Sequence, residues 1–406
     1  MSEVQPLTES SVIDYVKEQD VYDSLFGRAP DLRAQQITEG NVNLLFRVYS
    51  ESDPQAKSVI VKQALPYAWR YPDFKMPVDR SRIEYEVLKI EGKYCPEQVP
   101  ILYHYDEARH ILIIEDLNNH LVMREGLMQQ KRYPRVDRHM GVFMARTLFY
   151  TSDLYLPSGE KKAMVPRFIN PVLCKVQEDL VFTEPYIEHP NNRYTPKLEP
   201  QVREIYADDD LRSEIFMFKE RYMTHAQALI HNDLHTGSIM LNEEETKVVD
   251  PEFAFFGPMA HDIGTYFANL ALSYAAQEYH AKDPAVRADY RAWLAELIVR
   301  TWNIFEEEFL RLWEEEGNGD WPSPTFRRKY MHQLLQSTAG FGAAEMMRRL
   351  IGLAHVHDFW TIEDEDVRAT AESLGLNIAK AWIKNHRSVG SIEDIVEMVV
   401  EAKPEI

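Results

Sequence analysis

The chain has 406 residues, too long for one ordinary core, and its 45% hydrophobic and 11% aromatic content is enough to fold two lobes. The formal net charge is −20 (45 Lys and Arg against 65 Asp and Glu) with no long basic block, which argues against nucleic-acid or anionic-membrane binding; a small anionic ligand held by a few local cations stays possible. Two distant cysteines, Cys95 and Cys174, exclude a disulfide framework, no apolar run approaches the roughly 20 residues of a membrane helix, and the polar, acidic start is no signal peptide, so a cytoplasmic protein is expected.

In chain order, "TESSVIDYVKEQ" offers Thr8 and Ser10 as helix caps ahead of apolar residues at helical spacing. "NLLFRVYS" and "SVIVKQA" read as two strands of a hairpin around a polar turn at Asp53 and Pro54. "VDRSRIEYEVLKIEGKY" is an amphipathic helix ending near Gly92, and "PILYHYDEARHILIIEDL" gives two more strands around "DEARH". Residues 1–117 therefore read as a β-rich N-terminal lobe that closes at a hinge over 115–117.

Helical patterns dominate from 118 to 406. They run through "RHMGVFMARTLFYTSDLYL", "RSEIFMFKERYMTHAQALI", "DIGTYFANLALSYAAQEYHA", "AVRADYRAWLAELIVRTWNIFEEEFLRLWEEEG" and "FGAAEMMRRLIGLAHV". One short β insertion, "SIMLNEEETKVVD", places two strands around Asn242–Glu245. The predicted fold is α+β and bilobal, with a β-rich N-terminal lobe and a mostly helical C-terminal lobe.

The chemistry gathers around that insertion. Asp233 precedes it in "LIHNDLHTGSIM", and Asp250 and Glu252 follow it in "VVDPEFAFFGP". A hairpin returns the chain to its starting point, so Asp233 is expected to face Asp250 and Glu252. In an extended segment Asp250 and Glu252 would point the same way and share a ligand. Clustered carboxylates repel unless a cation joins them, and hard oxygen donors suit Mg²⁺. A plain turn is the bland reading of "DPE" by itself. A zinc site on His231 and His235 fits poorly: the helix-borne zinc motif has Glu directly after its first histidine, where Asn232 stands, and Asn, Asp, Thr and Gly make a weak helix interior. His231 reads better as a brace for the loop.

A loop Asp, a hairpin and a second Asp in "DxE" is the order of protein-kinase-like phosphotransferases. On that plan Lys62, in an apolar strand, faces nucleotide phosphates and pairs with Glu84 or Glu86 on the next helix, Glu84 being preferred. Asn41 and Asn43 supply donors in a weak, single-glycine phosphate loop, and backbone groups at the end of "ILIIEDL" can read adenine.

The stretches "EGNVNLLF", "IIEDL", "LFYTSD", "HNDLHTGSI", "TKVVDPEFAFFGP" and "MRRLIGLAHV" resemble the 5-methylthioribose kinases of the aminoglycoside phosphotransferase and choline kinase-like superfamily. The resemblance runs over most of the chain and implies ATP and Mg²⁺ as cofactors, phosphorylation of the anomeric 1-hydroxyl of 5-methylthioribose in methionine salvage, and a homodimer. It makes Asp233 the catalytic aspartate at the sugar hydroxyl. It puts Asp250, Pro251 and Glu252 at the nucleotide phosphates, with Asp250 and Glu252 on the metal, Lys62 and Asn43 on the nucleotide, and Glu115, Asp116 and Leu117 at the adenine hinge. Arg348 and Arg349 become the substrate-side arginines. Adjacent helical residues point about 100° apart, which leaves a surface or structural role open for one of the two. Three positions depart from wider patterns: Asn232 stands where the family has glycine, Ser238 where general small-molecule kinases carry a metal-binding Asn, and Phe74, with Trp69 earlier, where the family has a lid Trp. A kinase of another sugar or amino alcohol, a binding protein on a kinase fold, and a zinc hydrolase remain as alternatives.

Overall fold

The computed structural model describes residues 5–27, 31–38, 42–52 and 57–406. Asn41 and the Asp53–Pro54 turn lie outside the described residues. The chain divides into two compact units, Met1–His120 with Val249–Ala254, and Leu121–Val248 with Phe255–Ile406. From the sequence alone 118–406 is one helical part; the structure instead gathers 249–254 into the first unit.

The first unit is built on an antiparallel five-stranded sheet. Its strands are β1 (Leu32–Ile37), β2 (Leu44–Ser50), β3 (Val59–Gln63), β6 (Leu102–Asp106) and β7 (Ile111–Glu115), in the order β1-β2-β3-β7-β6. Helix α1 (Glu9–Lys17) starts at Thr8, whose side chain accepts from the Ser11 amide, and is followed by α2 (Tyr22–Phe26). Val12, Tyr15, Val16, Leu25 and Phe26 form one core with Phe46, Val48, Val59, Val61, Ile111 and Ile113. Side chains alternate along a strand. Since Val59 and Val61 enter this core, Lys62 turns to the other face, where α3 (Arg80–Tyr94) packs against β6 and β7. A small hairpin, β4 (Tyr67–Ala68) and β5 (Tyr71–Lys75), precedes α3.

The second unit opens with β8 (Leu121–Val122), α4 (Met123–Met128), α5 (Val136–Tyr150), α6 (Ser158–Met164), α7 (Pro171–Leu180), α8 (Glu199–Ala207) and α9 (Asp209–Thr224). Strand β9 (Ala228–Ile230) pairs with β12 (Phe255–Gly257), and between them β10 (Ile239–Leu241) and β11 (Thr246–Val248) form a hairpin, with β8 on the far side of β10. Asn242 turns that hairpin by accepting the amides of Glu244 and Glu245 at 2.9 and 2.8 Å. The helical pattern expected to run on to Ile230 stops at Thr224, because "ALI" is taken up in the β9–β12 ladder.

Five long helices complete the unit: α10 (Met259–His280), α11 (Pro284–Glu316) and α12 (Pro324–Ile351), then, after the short α13 (His357–Trp360), α14 (Glu365–Asn385) and α15 (Ile392–Glu401). Every residue of α10 from Met259 to Ser273 is buried, so this helix is the axis on which α12 and α14 pack. Close approach requires glycine here. A Cβ at Gly264 would lie 2.6 Å from the Thr338 carbonyl oxygen and 2.8 Å from the Gly342 nitrogen, both backbone atoms that cannot swing aside. No helix among the described residues is long and apolar enough to cross a membrane.

Gly264→Ala should push α10 and α12 apart and destabilise the second unit by about 1–3 kcal/mol, the usual range for overpacking. Thermal unfolding checks this; an unchanged melting temperature would refute the close-contact account.

Candidate active site

In the first unit a charged cluster forms on the α3 side of the sheet. The Lys62 ammonium donates to Glu84 Oε1 at 2.8 Å and to Asp250 Oδ1. Glu84 is thus the lysine's helix partner, while Glu86 is held by Arg82 at 3.0 Å. Glu252 takes a different pair: Asn43 Nδ2 donates to its Oε2 at 3.0 Å, and Arg80 Nε lies 3.1 Å from the same oxygen. Arg80 is fully buried and also donates to the Leu65 and Pro77 carbonyls at 2.8 Å. Burial weakens the Lys62 ammonium, but Asp250, Glu84 and Glu252 outweigh it and raise its pKa above the ordinary lysine value. Burial raises the Glu84 carboxyl against the pull of Lys62.

Asp250 and Glu252 do not share one ligand along an extended strand. Asp250 sits in the left-handed region (φ 64°), and Pro251–Phe253 form a 3-10 turn with Pro251 and Glu252 buried. The turn sends the two carboxylates to separate partners. Over 115–117, Glu115 Oε2 accepts the Ile101 amide at 3.1 Å. Both Asp116 oxygens face Arg47, 2.8 Å to Nε and 3.1 Å to Nη2. Leu117 is buried. Both carboxylates are thus engaged inside the unit.

In the second unit Asp233 lies in a loop, not a helix, and its neighbours converge on it. His231, buried, accepts the Asp233 amide on Nδ1 at 3.3 Å, the bracing role expected of it. His235 Nδ1 accepts the Gly237 amide at 2.9 Å, so the ring proton belongs on Nε2, which stands 3.3 Å from Asp233 Oδ2. Burial holds the His235 pKa below its ordinary value, against the opposing pull of Asp233. The two histidines thus both contact Asp233. Among the described residues no group of three His, Cys, Asp or Glu is arranged to hold a metal.

Arg348 and Arg349 both reach Asp233 Oδ1 through Nη2, at 3.1 and 3.4 Å, and both are buried. Neither is a surface residue, although they are adjacent on α12. Burial works against the Asp233 carboxylate, but His235 and the two arginines overcome it and hold its pKa well below the usual range. Only 22% of its side-chain surface is exposed.

Three contributors escape a reading of the sequence alone. Asp262, in the first turn of α10, accepts the amides of His231 and Asn232 at 2.7 and 2.8 Å and so anchors the loop, although burial pushes its own pKa up to about 6. Glu345 bonds both arginines, and Arg80 holds Glu252. Asp262 and Glu345 are charged residues in otherwise apolar helical stretches, a signal that marks a buried pair without naming its partner, whereas Arg80 opens a highly charged helix and carries no such signal.

Residues 34–313 match the phosphotransferase enzyme family. Over 97% of its length the chain is 37% identical to methylthioribose kinase 1 of Oryza sativa subsp. japonica, covering 94% of that protein. Over 93% of its length it is 38% identical to the methylthioribose kinase of Bacillus cereus, covering 92% of that protein. The chain belongs to the methylthioribose kinase family of phosphotransferase enzymes. Among solved structures, a choline kinase from Cryptosporidium parvum is 14% identical with a TM-score of 0.48, over 97% of this chain and 100% of that one.

Asn232, where the resemblance leads one to expect glycine, adopts φ 68°. Asparagine tolerates that region better than other side chains. Here it is also fixed by three bonds: Oδ1 accepts the Tyr222 hydroxyl at 3.1 Å, its carbonyl accepts Gln177 Nε2 at 2.7 Å, and its amide meets Asp262. Ser238 is buried beside His235, 3.4 Å from Nδ1. Of the lid candidates, Trp69 packs on the sheet core whereas Phe74 is 47% exposed on β5.

Asn232→Gly should keep the loop and lose only the Tyr222 bond, a change of about 1 kcal/mol. Asn232→Val should cost at least about 1–2 kcal/mol more from left-handed backbone strain. Chemical denaturation of both variants checks the order; equal stability would contradict it.

Proposed function

We propose that this protein transfers the γ-phosphoryl group of ATP to the 1-hydroxyl of S-methyl-5-thio-D-ribose. The observation that carries the reading is the full-length likeness to proteins named methylthioribose kinase. The two charged clusters suit the chemistry, since phosphoryl transfer asks a protein mainly for positioning and charge neutralisation.

Asp233 is read as the catalytic aspartate. Its carboxylate is held ionised by His235, Arg348 and Arg349, so in the resting state it is an acceptor that orients the sugar hydroxyl. The arginines then serve the transferred group and the substrate side. Lys62, with Asn43, is read as the nucleotide-phosphate contact, Glu84 keeping the ammonium in place. The main chain at Glu115, Asp116 and Leu117 is read as the adenine hinge.

The first-unit cluster fits a divalent cation. Two cations, Lys62 and Arg80, face three carboxylates, Glu84, Asp250 and Glu252, and the Asp250 side chain is 55% exposed. The hard oxygen donors suit Mg²⁺. Asp250 and Glu252 would hold it, with Pro251 fixing the turn between them, and the ion would neutralise phosphate charge. Cytoplasmic location and a homodimer complete the reading, the latter open to sedimentation equilibrium.

A coupled ADP-release assay with methylthioribose, ribose, choline and kanamycin should show turnover with the first alone; turnover with choline or kanamycin instead would replace the substrate. Asp233→Ala should lose turnover by orders of magnitude while binding ATP with near-native affinity. Near-normal activity in that variant would refute the role of Asp233.

A further inference from the structure

Glu345 is 1% exposed and lies in the middle of the second-unit cluster. Its Oε2 accepts Arg348 Nε at 2.5 Å, and its Oε1 accepts Arg349 Nε at 2.8 Å. Asn269 Nδ2 donates to Oε1 at 3.3 Å, and Asn269 is itself fixed by Arg124, whose Nη2 donates to its Oδ1 at 3.3 Å. Helix geometry explains how one carboxylate serves adjacent arginines. At about 100° per residue, Arg348 lies about 60° to one side of Glu345 and Arg349 about 40° to the other. The acid sits between them and draws both guanidinium groups onto one face.

We infer that Glu345 is a positioning residue that shares the arginine pair with Asp233 and thereby leaves Asp233 able to accept a substrate hydroxyl. The inference rests on the reading of Asp233 and the arginines given above. Two guanidinium groups and two carboxylates balance in charge. Glu345 holds each arginine by Nε and also accepts from Arg348 Nη2 on Oε1 at 3.4 Å, so Arg348 Nη2 is shared between the two acids; both arginines meet Asp233 through Nη2, on the same oxygen, Oδ1. Without the charge at 345, two cations would lean on Asp233 alone and compete with the sugar for its lone pairs. The same arrangement keeps Glu345 ionised: burial opposes the charge, but Arg348 and Arg349 bring its pKa down to about 2.

The test compares wild type, E345Q, E345D, R349Q and the double variant E345Q/R349Q in steady-state ADP release, with methylthioribose and ATP varied separately and thermal unfolding measured in parallel. E345Q keeps the shape and removes the charge. Its kcat/KM for the sugar should fall at least about tenfold while KM for ATP stays within about twofold, because the effect is confined to the acceptor side. E345D keeps the charge with a shorter reach and should fall between E345Q and wild type. Against the R349Q single variant, the double variant should lose less than the product of the two single losses, since both act on one interaction. A purely structural Glu345 would lower the melting temperature and both substrates' kinetics together. Folded E345Q and E345D with wild-type sugar kinetics would overturn the inference, as would strictly multiplicative losses. If glutamine at 345 prevents folding, E345D decides by the same sugar-versus-ATP split. Wild type that does not turn over methylthioribose would instead overturn the functional reading.

Discussion

A buried cation must be paired with an anion and hydrogen-bonded, or it costs several kcal/mol. Lys62, Arg80, Arg348 and Arg349 are all almost wholly removed from water, and much of the local structure follows from meeting that constraint. Lys62 requires Glu84 from α3 and Asp250 from the segment after the hairpin. Arg80 requires Glu252, and this explains why 249–254 is gathered into the first unit although it is remote in sequence. Arg348 and Arg349 require Glu345 and Asp233. Replacing such pairs with apolar residues often stabilises a protein, so their retention points to use rather than to stability.

The two clusters differ in balance. That of the first unit carries one more carboxylate than cation and exposes Asp250, which makes it receptive to a positive ion. That of the second is neutral and enclosed, with the Asp233 carboxylate as its one partly exposed acid. A neutral set of fixed dipoles and charges is suited to positioning a hydroxyl, because it reorganises little when charge moves. Both key loops also pass through left-handed backbone, at Asn232 and Asp250. Short polar side chains tolerate that geometry, and at Asn232 the three surrounding bonds hold it in place.

Strands β2, β3, β6 and β7, the hairpin after Asp233 and the long helices follow from alternation, turn residues and helical periodicity, and they are legible along the chain, whereas the short β4–β5 hairpin is not. So is the pairing of Lys62 with Glu84, because strand alternation and a single following helix leave few choices. The 3-10 turn at Pro251 is not legible, since a left-handed Asp250 ahead of it has no sequence signature that separates it from an extended "DPE". The strand character of "ALI" is equally hidden, as a three-residue apolar run is settled by its ladder partner rather than by its own period. The adjacent arginines mislead for a related reason: angular spacing on a helix fixes where Cα–Cβ bonds point, not where a long side chain finds its anion.

The sequence by itself determined the kinds of chemistry present: an acidic chain, a loop aspartate between two histidines, a second acid pair one hairpin later, and a motif set resembling one kinase family. Local periodicity and residue type suffice for that. The tertiary structure decided which charges meet: Arg80 with Glu252, Asp262 with the amides of His231 and Asn232, and Glu345 between two arginines. Those partners are brought together by packing distant elements, and the need to satisfy each buried charge acts in space, where distance along the chain carries no information.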